Sequence, residues 1–111
     1  MSTVCRCQQD ANFIYVYPNA DVRIALWCPA DRQSAFLDRL RAFMVDPNTG
    51  PYFNIDNNNR TQQDMREDGG DNAIFLAGKW AMVRICTQYA QLRVAVPRSE
   101  FAAAIGVAPK R

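Results

Sequence analysis

Few side chains in this sequence are equipped for covalent or acid–base chemistry. Histidine is absent, which removes the usual general base near neutral pH and the commonest metal ligand. The four cysteines are Cys5, Cys7, Cys28 and Cys86. Cys5 and Cys7 would bring two thiolates together, but tetrahedral zinc needs two further ligands. Strand parity puts Cys28 on an aliphatic face and Cys86 on an aromatic one. Neither a Cys28–Cys86 disulfide nor a four-cysteine zinc site is therefore expected, and Cys28 reads as a buried thiol. A cysteine nucleophile would need an activating base, and no histidine can serve.

The acidic residues offer little more. Asp56, Asn58, Asp64 and Glu67 have the spacing of ligands in a calcium-binding loop. Arg60 stands where another oxygen ligand belongs, and Thr61 replaces the turn glycine, so no metal is expected. Asp64, Glu67, Asp68 and Asp71 read instead as a solvated acidic patch, a second candidate surface suited to a basic partner. The sequence has no G-x-S-x-G, no phosphate-binding glycine loop and no H-E-x-x-H. The expectation is a non-enzymatic protein without cofactors.

The remaining chemistry is recognition. Eleven of the thirteen basic residues are arginine, the side chain suited to forked contacts with carboxylate or phosphate. Residues 79–96, KWAMVRICTQYAQLRVAV, read as two adjacent strands with unlike faces. Ala81, Val83, Ile85, Ala90, Leu92, Val94 and Val96 form a core face. Trp80, Met82, Arg84, Cys86, Tyr89, Gln91 and Arg93 form an aromatic and basic one. The same parity in an upstream hairpin adds Phe13, Tyr15, Tyr17, Arg23 and Trp27. The candidate partner-binding set is Tyr15, Tyr17, Arg23, Trp27, Trp80, Arg84, Tyr89 and Arg93. Such a set can stack bases and grip phosphates, and it also has the composition of protein-interface hot spots. The competing reading folds a helix or loop over these rings as a second core layer. An RNA-recognition motif does not fit: Lys79-Trp80-Ala81-Met82-Val83 lacks the glycine after the basic residue and the second aromatic.

The elements that must position these residues follow from periodicity. Residues 12–17 and 22–28 alternate apolar and polar, which predicts a β-hairpin turned at Pro18-Asn19-Ala20-Asp21. Pro29 suits the first turn of a helix reaching about Val45. Phe36, Leu37, Leu40, Phe43 and Met44 form its apolar stripe. Residues 46–71 are a polar excursion, with Tyr52, Phe53 and Ile55 as anchors and a short helix expected between Thr61 and Gly69. Residues 72–76 predict another strand, with Ala77-Gly78 turning into the organising pair. Ser99 is expected to cap a last short helix that Gly106 stops, and 107–111 is a tail. The predicted fold is α+β: one antiparallel sheet of about five strands, a hairpin plus a three-stranded meander, with helices on one face.

The 111 residues suit a single domain, and 49% hydrophobic content is ordinary for a globular chain. No secretory signal or membrane-spanning run is present, so a cytoplasmic protein is expected. The net charge of +2 exerts little long-range pull on a polyanion. The expected function is therefore binding to another protein. Stoichiometric inhibitors such as phage-encoded antagonists of bacterial defence systems (anti-CRISPR-like proteins) and toxin-neutralising immunity proteins are built on this scale. A single-stranded nucleic-acid binder using the same face is the alternative, and self-association into a homodimer is compatible with it.

Overall fold

The structure, a computed structural model, describes residues 6–46, 52–59, 72–86 and 89–107. Strict alternation makes Phe13–Asn19 (β2) and Val22–Trp27 (β3) an antiparallel hairpin, and Cys7–Gln9 (β1) pairs along β2. Ala30–Val45 (α1) follows Pro29. Tyr52–Asn54 (β4) leads into the short helix Ile55–Asn59 (α2). Ala73–Ala77 (β5), Trp80–Cys86 (β6) and Gln91–Pro97 (β7) form the meander, and Arg98–Ala104 (α3) closes the order.

The class is α+β with antiparallel sheets, as expected, but the strands do not share one sheet. They form a three-stranded sheet β1-β2-β3 and a four-stranded sheet β4-β5-β6-β7. The hairpin and the meander are each intact and never pair with each other. Instead β1 extends the hairpin and β4 extends the meander.

Both sheets bury one face in a single core. Ile14, Val16, Ile24 and Leu26 come from the first sheet, and Ile74, Ala81, Val83 and Val96 from the second. The α1 stripe, Phe36, Leu37, Leu40, Phe43 and Met44, is buried among them, as are Phe101, Ala104 and Ile105 around α3. Burying each large side chain here contributes about 1.5–3 kcal/mol. Phe53 of β4 packs edge-on against Phe36, with ring centroids 5.6 Å apart.

Four buried polar side chains, Gln33, Asp56, Asn59 and Asn72, organise the interior. Gln33 lies on α1 and is 3% exposed. Its Nε2 donates to the carbonyls of Asp10 (2.7 Å) and Cys28 (2.8 Å), and its Oε1 accepts from Gln9 Nε2. It thereby satisfies the buried Cys28 carbonyl and ties it to the Asp10 turn at the same end of the hairpin. Asp56, in α2, accepts from the backbone N–H (2.7 Å) and Nδ2 (3.1 Å) of Asn72, whose Oδ1 accepts from the Cys86 N–H. Asn59 Nδ2 donates to the Trp27 carbonyl, and Arg32 donates to the Asn59 carbonyl at 2.7 Å. These contacts tie α2 to both sheets.

Three local expectations are corrected. Ser99 lies inside α3, and Pro97 precedes the helix; the Arg98 N–H donates to the Lys79 carbonyl, so the chain turns directly from strand into helix. Pro18 and Asn19 continue β2, with the register shifting between Val16 and Asn19, so the turn narrows to Ala20-Asp21. Leu92 and Ala90 are not core residues: Leu92 is 57% exposed and Ala90 is exposed. The β6–β7 ladder runs on to Cys86↔Gln91, whereas β5 stops opposite Arg84, so that end of the hairpin has no neighbouring strand beneath it. Gly78 turns β5 into β6 with φ of 60°, and Gly106 ends the last helix with φ of 89°, both conformations that favour glycine.

Candidate functional site

Strand parity holds in both sheets, so each has an outer face carrying the expected residues. Because there are two sheets, the candidate set divides. Tyr15, Tyr17, Arg23 and Trp27 belong to the three-stranded sheet, and Trp80, Arg84 and Arg93 to the four-stranded one. They do not form one continuous ladder. Tyr89 stands beyond the end of β6 and is 88% exposed.

The outer face of the first sheet is largely engaged with itself. Phe13 and Tyr15 stack with centroids 5.7 Å apart, and the Arg23 guanidinium lies 5.3 Å from the Tyr15 ring centre. Tyr17 Oη donates to Gln8 Oε1 of β1 at 3.3 Å. Desolvation, with the Asp10 carboxylate as a further cause, raises the Tyr15 phenol above its usual value. The aromatic residues here are half-buried.

The four-stranded sheet presents an ordered, more exposed surface. Register places Tyr52, Phe75, Met82 and Ala95 in one row across β4, β5, β6 and β7. Tyr52 and Phe75 stack, with centroids 5.5 Å apart. A second row carries Asn54, Ala73, Arg84 and Arg93. Trp80 lies opposite Pro97 in the next row. Trp80, Tyr52 and Met82 are 51%, 48% and 42% exposed. Apolar side chains that large, left open side by side, mark an interaction surface more than isolated exposed residues do.

Arg84 and Arg93 are direct cross-strand partners. Like charges so placed repel, typically by a fraction of a kcal/mol. The Arg84 guanidinium lies 5.1 Å from the Phe75 ring centre, and Arg93 donates through Nε and Nη2 to Gln91 Oε1. With Phe75, Met82 and Ala95, the two arginines line a cleft of about 330 Å³. Its floor is apolar and one wall cationic. Its lining is complementary to a group with an apolar body and a carboxylate or phosphate end.

Tyr52 and Phe75 were missing from the sequence-derived set. Phe75 had a signal, its parity opposite Ile74 and Leu76. Tyr52 reads in sequence as an anchor like Phe53 and Ile55, which are buried, but it is 48% exposed on the outer face, because β4 is a three-residue strand too short to show its parity. The second candidate surface, Asp64, Glu67, Asp68 and Asp71, lies outside the described residues, as does the helix expected between Thr61 and Gly69.

Among the described residues, no group of three or more Cys, Asp or Glu could hold a metal. Asp56 is turned inward to Asn72, and Asn58 Nδ2 donates to the Asn54 carbonyl, so both serve the fold. Cys28 is a buried free thiol, and burial pushes its pKa up to about 11. No described helix is long and apolar enough to cross a membrane. No family model matches the chain, and neither a curated protein nor a solved structure matches it.

Proposed function

We propose that this protein is a non-enzymatic binding module that engages another protein through the outer face of its four-stranded sheet. The observation that carries this reading is the outer-face row Tyr52–Phe75–Met82–Ala95, with Tyr52 and Met82 exposed, beside the Arg84/Arg93 pair and Trp80. Aromatic, methionine and arginine side chains around an apolar centre are the composition enriched at protein interfaces. The small chain and its lack of catalytic motifs fit a stoichiometric inhibitor, of the kind that blocks a target by occupying its surface. The three-stranded sheet is the lesser candidate, because its rings are all half-buried, whereas Trp80, Tyr52 and Met82 stand open on the four-stranded one.

Single-stranded nucleic-acid binding is the second reading, favoured by the open rings beside two arginines. The two readings differ in salt dependence, since contacts to phosphate release counterions and weaken steeply as salt rises. The test is affinity capture of the tagged protein from lysate of its native host, with and without nuclease, at low and high salt. Retention of one protein or complex through both treatments is the expected result. Loss of all bound material on nuclease digestion or at moderate salt would replace this reading with nucleic-acid binding.

A further inference from the structure

The four outer edges of the two sheets are not alike. β1 and β4 have three residues each, too short to template another strand well. The end of β3 is closed by α2, where Asn59 occupies the Trp27 carbonyl. β7 differs: it pairs with β6 in unbroken register from Trp80↔Pro97 to Cys86↔Gln91. Among the described strands nothing pairs with its other side. Long, regular, unprotected edges are the kind that proteins usually blunt.

The hydrogen-bond phase of this edge follows from one contact. The Arg98 N–H donates to the Lys79 carbonyl at 2.7 Å, one step beyond the Trp80↔Pro97 pair. Bonded and non-bonded pairs alternate along an antiparallel ladder. The backbone groups of Val96, Val94 and Leu92 therefore face β6, and those of Gln91, Arg93 and Ala95 face outward. The Cys86 N–H confirms the phase, since it points away from β7 and is taken by Asn72 Oδ1. Pro97 has no N–H, so the open ladder ends there.

We propose that the outward edge of β7 accepts an extended, acidic segment of the partner protein as an added strand. Main-chain bonds to Gln91, Arg93 and Ala95 would supply the ladder. Side chains alternate along such a segment. Those on the outer face come opposite Arg93, whose guanidinium suits a carboxylate. Those on the inner side meet Leu92, 57% exposed, and the half-buried Val94, which suits apolar residues. A second copy of β7 fits less well: Gln91–Pro97, sequence QLRVAVP, has no acidic residue, so twofold pairing would give Arg93 no carboxylate. This inference rests on the protein-binding reading and specifies the form of the bound segment.

The test uses the full chain, labelled for backbone NMR, and an end-blocked peptide alternating glutamate with valine. A lysine–valine peptide is the control. The acidic peptide should shift the Gln91, Arg93 and Ala95 amides and slow their exchange, and the lysine peptide should not. Ala95→Pro removes one outward N–H, a change tolerated on an edge strand, and should weaken peptide binding at least about tenfold while melting stays near the wild type. Arg93→Glu, which leaves the backbone intact, should reverse the preference between the two peptides. Unmoved β7 amides, equal response to both peptides, or concentration-dependent shifts of these amides without peptide would each overturn strand addition. If nuclease-resistant capture persists in that event, the protein-binding reading stands and only the added strand is lost.

Discussion

Alanine substitution at Val83 and at its chain neighbour Met82 should have opposite consequences for stability and binding. Val83 is 1% exposed and faces the core between Ile74 and Val94; Met82 is 42% exposed and faces outward between Phe75 and Ala95. Truncating Val83 removes two buried methyl groups, about 0.8 kcal/mol each in transfer free energy. The unfilled cavity adds to this, giving about 2–3 kcal/mol in all. For a domain of this size that lowers Tm by roughly 10 °C. Met82→Ala should cost under about 1 kcal/mol, as surface substitutions do, and should remove most partner capture. Urea denaturation with an unchanged m-value reads the first quantity, and capture from host lysate reads the second. If Met82→Ala destabilises as much as Val83→Ala, the outer face is a second core layer and cannot be the binding surface.

Two further predictions concern the interior. Gln33→Leu should destabilise by about 1–3 kcal/mol in the same denaturation experiment, because the buried Cys28 carbonyl loses its donor, and the part-buried Asp10 carbonyl with it; a neutral result would mean that water replaces the amide. For Cys28, burial pushes the folded-state pKa up to about 11, above the ordinary thiol value of 9.0. The unfolded chain therefore loses this proton first, and the thiol's contribution, complete below pH 9, is lost as pH rises towards 11. Wild-type stability should fall more steeply across that window than that of Cys28→Ala, and equal slopes would refute the assignment.

Much of the local structure was legible in the sequence. Alternation fixed the faces of β2, β3, β6 and β7, since a one-residue slip would expose a whole apolar set. The spacing of Phe36, Leu37, Leu40, Phe43 and Met44 marked the buried side of α1. The division into two sheets was not legible. Pairing of β4 with β5, or of β1 with β2, joins short segments whose own periodicity is too brief to register. Nothing in either hairpin's pattern states whether it adjoins the other. Leu92 was misplaced for a related reason: parity gives the side of a strand, whereas burial depends on how far the neighbouring elements reach. Gln33 and Asn72 were missed because an amide serving buried backbone looks the same in sequence as one facing water.

The candidate site followed the same division. Trp80, Arg84 and Arg93 were found by parity alone. The surface they belong to became visible only when register set Tyr52 and Phe75 beside Met82. The separate sheets also moved Tyr15, Tyr17, Arg23 and Trp27 off that surface.

Hydroxyl-radical footprinting of the captured complex tests the central claim most directly, because it reads side-chain exposure at tryptophan, methionine and tyrosine. Binding through the outer face of the four-stranded sheet predicts that oxidation of Trp80, Met82 and Tyr52 falls sharply in the complex while that of Tyr15 and Tyr17 is unchanged. Unaltered oxidation of Trp80 and Met82, with protection confined to Tyr15 and Tyr17, would contradict it.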